Sequence, residues 1–298
     1  MARYYSWYAD APDRRFVQWG RLESGDRVHP GHGWLPTWFG PGHAIDDHLD
    51  KTDLRPHLAR LRPAPSIDGP GKIICVGLNY REHVAEGGRD PRSRPVLFSK
   101  FANAVIASGE PIVRPEGTHA LDLEVELGVV IGRTARRVGA DEAMDHVAGY
   151  VVVNDVSARD WQGVPAALRE GEKGDGQWLR AKGSDTFLPM GPVFVTPDEI
   201  DPAAGVRLRS WRITPDGQEQ PMQDGSTADM IWAIPELIAV ITAAVTLEPG
   251  DVIATGTPAG VGVFRDPPVF LEPGDRVRCE IEGIGSVENP VIDWSEAV

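Results

Sequence analysis

The sequence predicts an α+β protein, mainly β, and three observations lead there. Glycine (33) and proline (26) are frequent and spread along the whole chain, as in proteins that turn often. Short apolar runs of strand length recur, among them KIICVG, VVVNDV, GPVFVT and DVIATGTP. Segments with helical spacing are few, which argues against a doubly wound sheet of alternating strands and helices.

Taken in order, residues 1–70 read as a small N-terminal domain. It holds strand-like pieces such as RRFVQWGRL and a tryptophan- and glycine-rich stretch, HPGHGWLPTWFGPGH. A linker around LRPAPSIDGPG follows, stiffened by Pro63, Pro65 and Pro70. Residues 71–298 form the main domain. KIICVGLNY is a strand running into a turn or short helix, and LDLEVELGVVIG is one long strand. GADEAMDHVAGY reads as a helix and VVVNDV as a strand. A polar excursion, EGEKGDGQ, precedes the strands GPVFVT and VRLRSWRI. STADMIWAIPELIAVITAAV has helical spacing interrupted by Pro235. LEPGD occurs at 247–251 and 271–275, each time just before a strand.

The formal net charge of −14 makes the chain a poor partner for nucleic acid or an anionic membrane surface. No apolar run approaches the roughly 18 residues of a membrane span. The opening MARYYSWYADAP lacks the pattern of a signal peptide, so the expected location is cytoplasmic. Cys75 and Cys279 lie in strand-like runs and read as buried thiols. An anionic substrate would have to find local positive charge, from a metal ion or from lysine.

Several segments could carry chemistry. In Asp122-Leu-Glu124-Val-Glu126-Leu, a strand places Leu121, Leu123, Val125 and Leu127 on one face and the three acids on the other. Such crowding either marks a solvated strand edge or is relieved by a hard cation. Asp155 ends an apolar strand, where it either caps the next turn or lines a site. Lys182 and Lys100, each at the border of an apolar run, read as surface residues or as holders of a substrate carboxylate or oxyanion. His83 and Glu86 share a helical face as a base and its orienting carboxylate, or form an exposed polar turn. Asn79 and Glu82 make a capping pair. TGTPAGVG at 255–262 lacks the ending of a P-loop and reads as a glycine-rich turn that lets backbone approach a ligand.

Together, CVGLNYREH, DLEVELGVVIG, GYVVVNDVSARDWQ, AKGSDTFLPMGP, DMIWAIPELIAVIT, LEPGDVIATGTPAGVG and PGDRVRCEIEGIGSVENPV resemble the fumarylacetoacetate hydrolase family, in order and over about residues 72–292. The resemblance points toward the branch of 2-hydroxyhepta-2,4-diene-1,7-dioate isomerases and acylpyruvate hydrolases. It implies a mixed β-sheet roll with a small N-terminal domain, and a homodimer. It implies Mg²⁺ or Mn²⁺ held by Glu124, Glu126 and Asp155, with Lys182, His83 and Glu86 as catalytic residues. Lys100, Gln162, Thr255 and Gly256 match substrate-binding positions. GVPAALREGEKGDGQW falls where members carry a variable, lid-like loop.

The expected reaction is hydrolysis of a carbon–carbon bond in a small diketo acid of acylpyruvate or fumarylacetoacetate type, through a metal-stabilised enolate. Lys182 adds positive charge, and His83 activates water. The same enolate serves a decarboxylase, or an isomerase or tautomerase of a 2-oxo or 2-hydroxydiene dicarboxylate in aromatic catabolism. The reading from another class is a non-catalytic, metal-dependent ligand-binding protein.

Overall fold

The computed structural model describes residues 3–8, 17–24, 26–31, 49, 56–67 and 69–297. Most of HPGHGWLPTWFGPGH lies outside the described residues. Among those described, the strands are β1 (Arg3–Tyr8), β2 (Val17–Glu23), β3 (Arg27–Pro30), β4 (Ile73–Gly77), β5 (Val96–Lys100), β6 (Val105–Ala107), β7 (Ile112–Arg114), β8 (Leu121–Asp122), β9 (Val125–Ile131), β10 (Val147–Asn154), β11 (Ser157–Ala158), β12 (Leu188–Val195), β13 (Arg207–Ile213), β14 (Glu219–Ser226), β15 (Val252–Ala254), β16 (Arg276–Ile281) and β17 (Gly285–Asp293). The α-helices are short: α1 (Arg81–Glu86), α2 (Arg159–Gln162), α3 (Trp178–Gly183) and α4 (Ile234–Thr242). The class read from the sequence, mainly β with mixed sheets, is the one observed.

Ten strands form one sheet in the order β3-β2-β1-β12-β10-β9-β15-β4-β5, with β6 parallel to β12. β12 pairs with β10 along one edge and along the other with β6 at Leu188–Met190 and then β1 at Val193–Val195. Through β1 the three N-terminal strands continue the sheet of the main region. A second sheet, β14-β13-β16-β17-β7, packs against the first, and β8 and β11 form a short pair.

The large sheet is buried on both faces. Leu127, Val129 and Ile131 of β9, with Tyr150 and Val152 of β10, join Leu208, Val277, Cys279 and Val287 of the second sheet in one core. Val130, Val151 and Val153 pack on the opposite side with Trp19, Cys75 and Phe194. Double burial explains why VVVNDV reads as an unbroken apolar run rather than an alternating one. In α4, Ile234, Leu237, Ile238 and Ile241 form the buried stripe of an amphipathic helix.

The structure corrects four expectations. GADEAMDHVAGY holds only a 3-10 turn at Ala143–His146, after which β10 begins. Gly149 belongs to the sheet, opposite Val130, and must be glycine because a Cβ there would lie 2.1 Å from Val195 O. Pro235 starts α4 rather than interrupting it, since its missing N–H costs nothing in the first turn. Asn79 and Glu82 do not cap α1, whose N-cap is Tyr80 without a side-chain bond. Asn79 instead donates to Thr255 O (2.7 Å) and accepts from Trp232 N (2.9 Å). Finally, LDLEVELGVVIG is two strands, broken at Leu123–Glu124.

Candidate active site

That break opens the site. Glu126 lies opposite Val153, and Val125 opposite Asn154, where β9 and β10 part. Beyond them Asp155 N still reaches Glu124 O (2.9 Å), but Glu124 N turns to Asn154 Oδ1 (2.9 Å). Val125 N donates to Gln223 Oε1, and Val125 O accepts from Thr257 Oγ1, both at 2.9 Å. The residue between the two glutamates is thus fixed by side chains from β14 and from the loop after β15, not by a strand ladder. Leu121, Leu123, Val125 and Leu127 all enter the core. Glu124 and Glu126 leave on the other side, into a cleft they line with Asp155. They are only 4% and 2% exposed, so the solvated-edge alternative fails for this segment.

Ion pairs run through the cluster as a chain. Asp122 Oδ2 lies 2.9 Å from Arg159 Nε, and Arg159 Nη2 lies 2.6 Å from Glu124 Oε1. Lys182 Nζ bridges Glu124 Oε2 (2.6 Å) and Asp155 Oδ2 (2.8 Å), and Asp155 Oδ1 lies 2.7 Å from Lys100 Nζ. Three acids alternate with three bases, all buried. Glu126 stands outside this neutral chain, with no cation at ion-pair distance among the described residues. Its Oε2 accepts from Gly256 N at 2.9 Å.

The proton affinities follow from that arrangement. Burial, then the charges of Asp155 and Glu124, push the Glu126 carboxyl well above the ordinary range. Burial would raise Glu124 too, but Arg159 and Lys182 outweigh it and hold its carboxyl far below. For Lys182, burial opposes the charge, and Asp155 and Glu124 overcome it, so its ammonium is held more firmly than usual. For Lys100, burial wins over the attraction of Asp155 and its proton is held less firmly.

One carboxylate oxygen from each of Glu124, Glu126 and Asp155 lies within 4.8 Å of the others. Lys100 spends its three protons on the carbonyls of Val156 (3.0 Å), Phe187 (2.8 Å) and Lys182. Asp155 Oδ1 therefore accepts no hydrogen bond from the ammonium beside it. A buried carboxylate oxygen without a donor, next to a glutamate without a cation, suits a hard, oxygen-seeking dication. Mg²⁺ or Mn²⁺ fits this donor set.

His83, buried on α1, lines the same cleft. Its Nδ1 lies 2.6 Å from Glu86 Oε1, which leaves Nε2 as the ring nitrogen free for a ligand. The loop 255–262, expected to let backbone approach a ligand, lines the cleft through Thr257, and its backbone, with that of Val263, also meets the protein's own acids. Gly256 N donates to Glu126, Gly260 N to Glu86 Oε2 (2.8 Å), and Gly262 N and Val263 N to the two oxygens of Asp122 (2.8 and 3.1 Å). Gly256 has φ of +97°, and a Cβ there would lie 2.8 Å from Asn79 Cβ. The Thr255 hydroxyl donates to Leu127 O (2.9 Å).

Thr255, Gly256 and Lys100 thus stand behind the acids rather than in the cleft wall. Gln162 does line the cleft, and its Oε1 accepts from Arg159 Nη1 at 3.2 Å. Sequence reasoning missed Arg159, Thr257 and Gln223, and also Leu78, Phe98, Val164, Trp178 and Phe264 of the wall. For Arg159 a signal existed: a charged pair, Arg159-Asp160, directly after an apolar strand.

The sequence profile described as "Fumarylacetoacetate (FAA) hydrolase C-terminal" matches residues 72–292. The chain is 43% identical to a mitochondrial oxaloacetate tautomerase of Xenopus laevis over 238 residues, 80% of this chain and 70% of that one. It is 44% identical to a mitochondrial oxaloacetate tautomerase of Homo sapiens over 223 residues, 75% of this chain and 67% of that one. Among solved structures, it resembles the 2-hydroxyhepta-2,4-diene-1,7-dioate isomerase of Mycobacterium marinum, with a TM-score of 0.77 and 33% identity over 99% of both chains. The fumarylacetoacetate hydrolase of Exiguobacterium antarcticum gives a TM-score of 0.80 at 34% identity, over 98% of this chain and 100% of that one.

Proposed function

The chain belongs to the fumarylacetoacetate hydrolase family, and on that premise we propose that it is a metal-dependent tautomerase of a small 2-oxo dicarboxylate of the oxaloacetate type. The observation that carries this reading is one cleft lined by both the acid triad and His83. The choice among the family's reactions rests on the two sequence relatives above, both named as oxaloacetate tautomerases, and on the isomerase structure, against the hydrolase named among the structural neighbours. It reverses the order expected from the sequence, which put hydrolysis first.

A divalent ion on Glu124, Glu126 and Asp155 would supply Lewis-acid stabilisation of the oxygen where enolate charge develops. Lys182 keeps its proton firmly and adds a fixed positive charge beside Glu124 and Asp155. His83 Nε2 takes the proton of the enol hydroxyl and delivers it to the neighbouring carbon, while Glu86 holds the ring through Nδ1. No water is consumed, and Phe98, Val164, Trp178 and Phe264 in the cleft wall reduce access of bulk solvent to the bound substrate.

Hydrolysis remains the second reading because the 2.6 Å His83–Glu86 pair is also the arrangement that activates water. The test is enol-to-keto conversion of oxaloacetate followed by ultraviolet absorbance with Mg²⁺, Mn²⁺ or EDTA, run beside cleavage of acylpyruvates. Metal-dependent conversion without cleavage is expected. Faster cleavage of an acylpyruvate than conversion of oxaloacetate would overturn the tautomerase reading in favour of the hydrolase.

A further inference from the structure

The cleft presents a charge problem that its deep end does not solve. A 2-oxo dicarboxylate carries a second carboxylate away from the reacting carbons. Arg159 and Lys182, the two deep cations of the wall, are already paired with Asp122, Glu124 and Asp155. The remaining cationic side chain in the lining is Arg89. It sits on the turn after α1, two residues past Gly87, where its backbone N–H donates to Val84 O (3.1 Å). Its side chain is exposed and has no acidic partner or hydrogen bond among the described residues.

Arg92 and Arg94 follow in the same segment, outside the cleft lining, equally exposed and equally unpaired among the described residues. The segment RDPRSR at 89–94 thus carries three arginines against one aspartate, in a chain whose formal net charge is −14. Elsewhere arginines such as Arg114, Arg207, Arg209, Arg212 and Arg278 meet carboxylates. Unspent guanidinium charge gathered in one segment, which reaches the cleft at Arg89, attracts anions locally, and a guanidinium matches a carboxylate in fork geometry.

We infer that Arg89 is the specificity-determining residue that binds the distal carboxylate of the substrate, with Arg92 and Arg94 drawing the anion to the cleft. This rests on the proposed reaction at the same site. Arg89 selects dicarboxylates over monocarboxylates without touching the reacting carbons. Its removal therefore acts on KM for the diacid rather than on kcat.

The test compares wild type, Arg89→Gln and Arg89→Lys on the enol forms of oxaloacetate and of its 4-methyl ester, with Mn²⁺ present. For Arg89→Gln, KM for oxaloacetate should rise about 10- to 100-fold, the loss of one charge-assisted contact, with kcat and the ester kinetics nearly unchanged. Arg89→Lys should recover part of the loss. Equal losses on both substrates, or none on either, would overturn the assignment. Should the wild type convert neither substrate, the reaction reading fails alone, and calorimetry with the Mn²⁺-loaded protein then decides on Arg89. Weaker binding of oxaloacetate to Arg89→Gln with unchanged binding of oxalate sustains the assignment, and unchanged binding of both refutes it.

Discussion

On the second sheet, Arg207 reaches Asp224 and Arg278 reaches Glu219 through paired bonds, the latter both 2.9 Å long. Below the large sheet, Arg159, Lys182 and Lys100 reach Asp122, Glu124 and Asp155 at similar distances. The contacts are alike and their consequences differ, because water surrounds the first set and is excluded from the second. Exposed pairs trade one solvation for another and contribute little. Buried pairs have given up their hydration, so each partner depends on the other, and a miscount of charge cannot be screened. The count in the buried set is one carboxylate too many, and the surplus sits on Glu126. A stability element would close that balance. Leaving it open creates a place for a cation.

The comparison breaks most sharply at Glu124. Glu124→Ala removes one of the three clustered carboxylates and leaves Arg159 with Asp122 alone and Lys182 with Asp155 alone. Turnover should fall by at least about 10³-fold with loss of Mn²⁺ binding, read by steady-state rates and calorimetry. A metal-binding, fully active variant would sink the site as described. Lys100→Met should spare the cleft wall but leave three buried carbonyls without their donor and Asp155 with Lys182 as its remaining cation. A loss of about 3–5 kcal/mol in urea unfolding is expected.

Next in size is a pH effect. A carboxyl held above its usual range keeps its proton at pH values where ordinary glutamates have lost theirs. That proton competes with the metal, so Mn²⁺ affinity should rise with pH, by up to about tenfold per unit, until Glu126 is deprotonated. Titrations between pH 6 and 8 measure the slope, and Glu126→Gln should flatten it. Gln223→Ala frees Val125 N, Ser210 and Thr257 from their shared partner. A stability loss of about 1–3 kcal/mol should come with weaker metal binding, since Val125 separates two of the clustered carboxylates. Arg207→Ala, on the exposed side of the comparison, should leave the urea midpoint within measurement error.

Much of this was legible in the residues. Alternation along LDLEVEL gave the parity that sends Glu124 and Glu126 away from the core, and parity survived the break in the strand because side chains rather than a bulge held it. Apolar runs bounded by glycine and proline marked β4, β10 and β12. Local pattern failed where long-range contact decided. Val147–Asn154 became a strand up to its first residue because β9 and β12 flank it, whereas the sequence before it has helical composition. Gln223 gave no signal at all: a glutamine in an exposed-looking strand looks the same whether it faces water or reaches across to Val125. The bonds from the backbone of 255–263 to the protein's own acids went unread for a related reason. Glycine spacing announces that backbone will come close to something, and it does not say whether that partner is a ligand or another part of the chain.

That loop also constrains how this protein can diverge. Four of its N–H groups answer to three acids with separate duties: Glu126 in the acid cluster, Glu86 behind the histidine, and Asp122 behind the arginine. A change in its backbone path moves donors to all three acids together, so the loop is a poor substrate for piecemeal change. The segments facing the other side of the cleft carry no such shared duties. The exposed positions of residues 169–177 and of the turn at 88–94 can vary singly, and new substrates would be acquired there while the chemistry stays fixed.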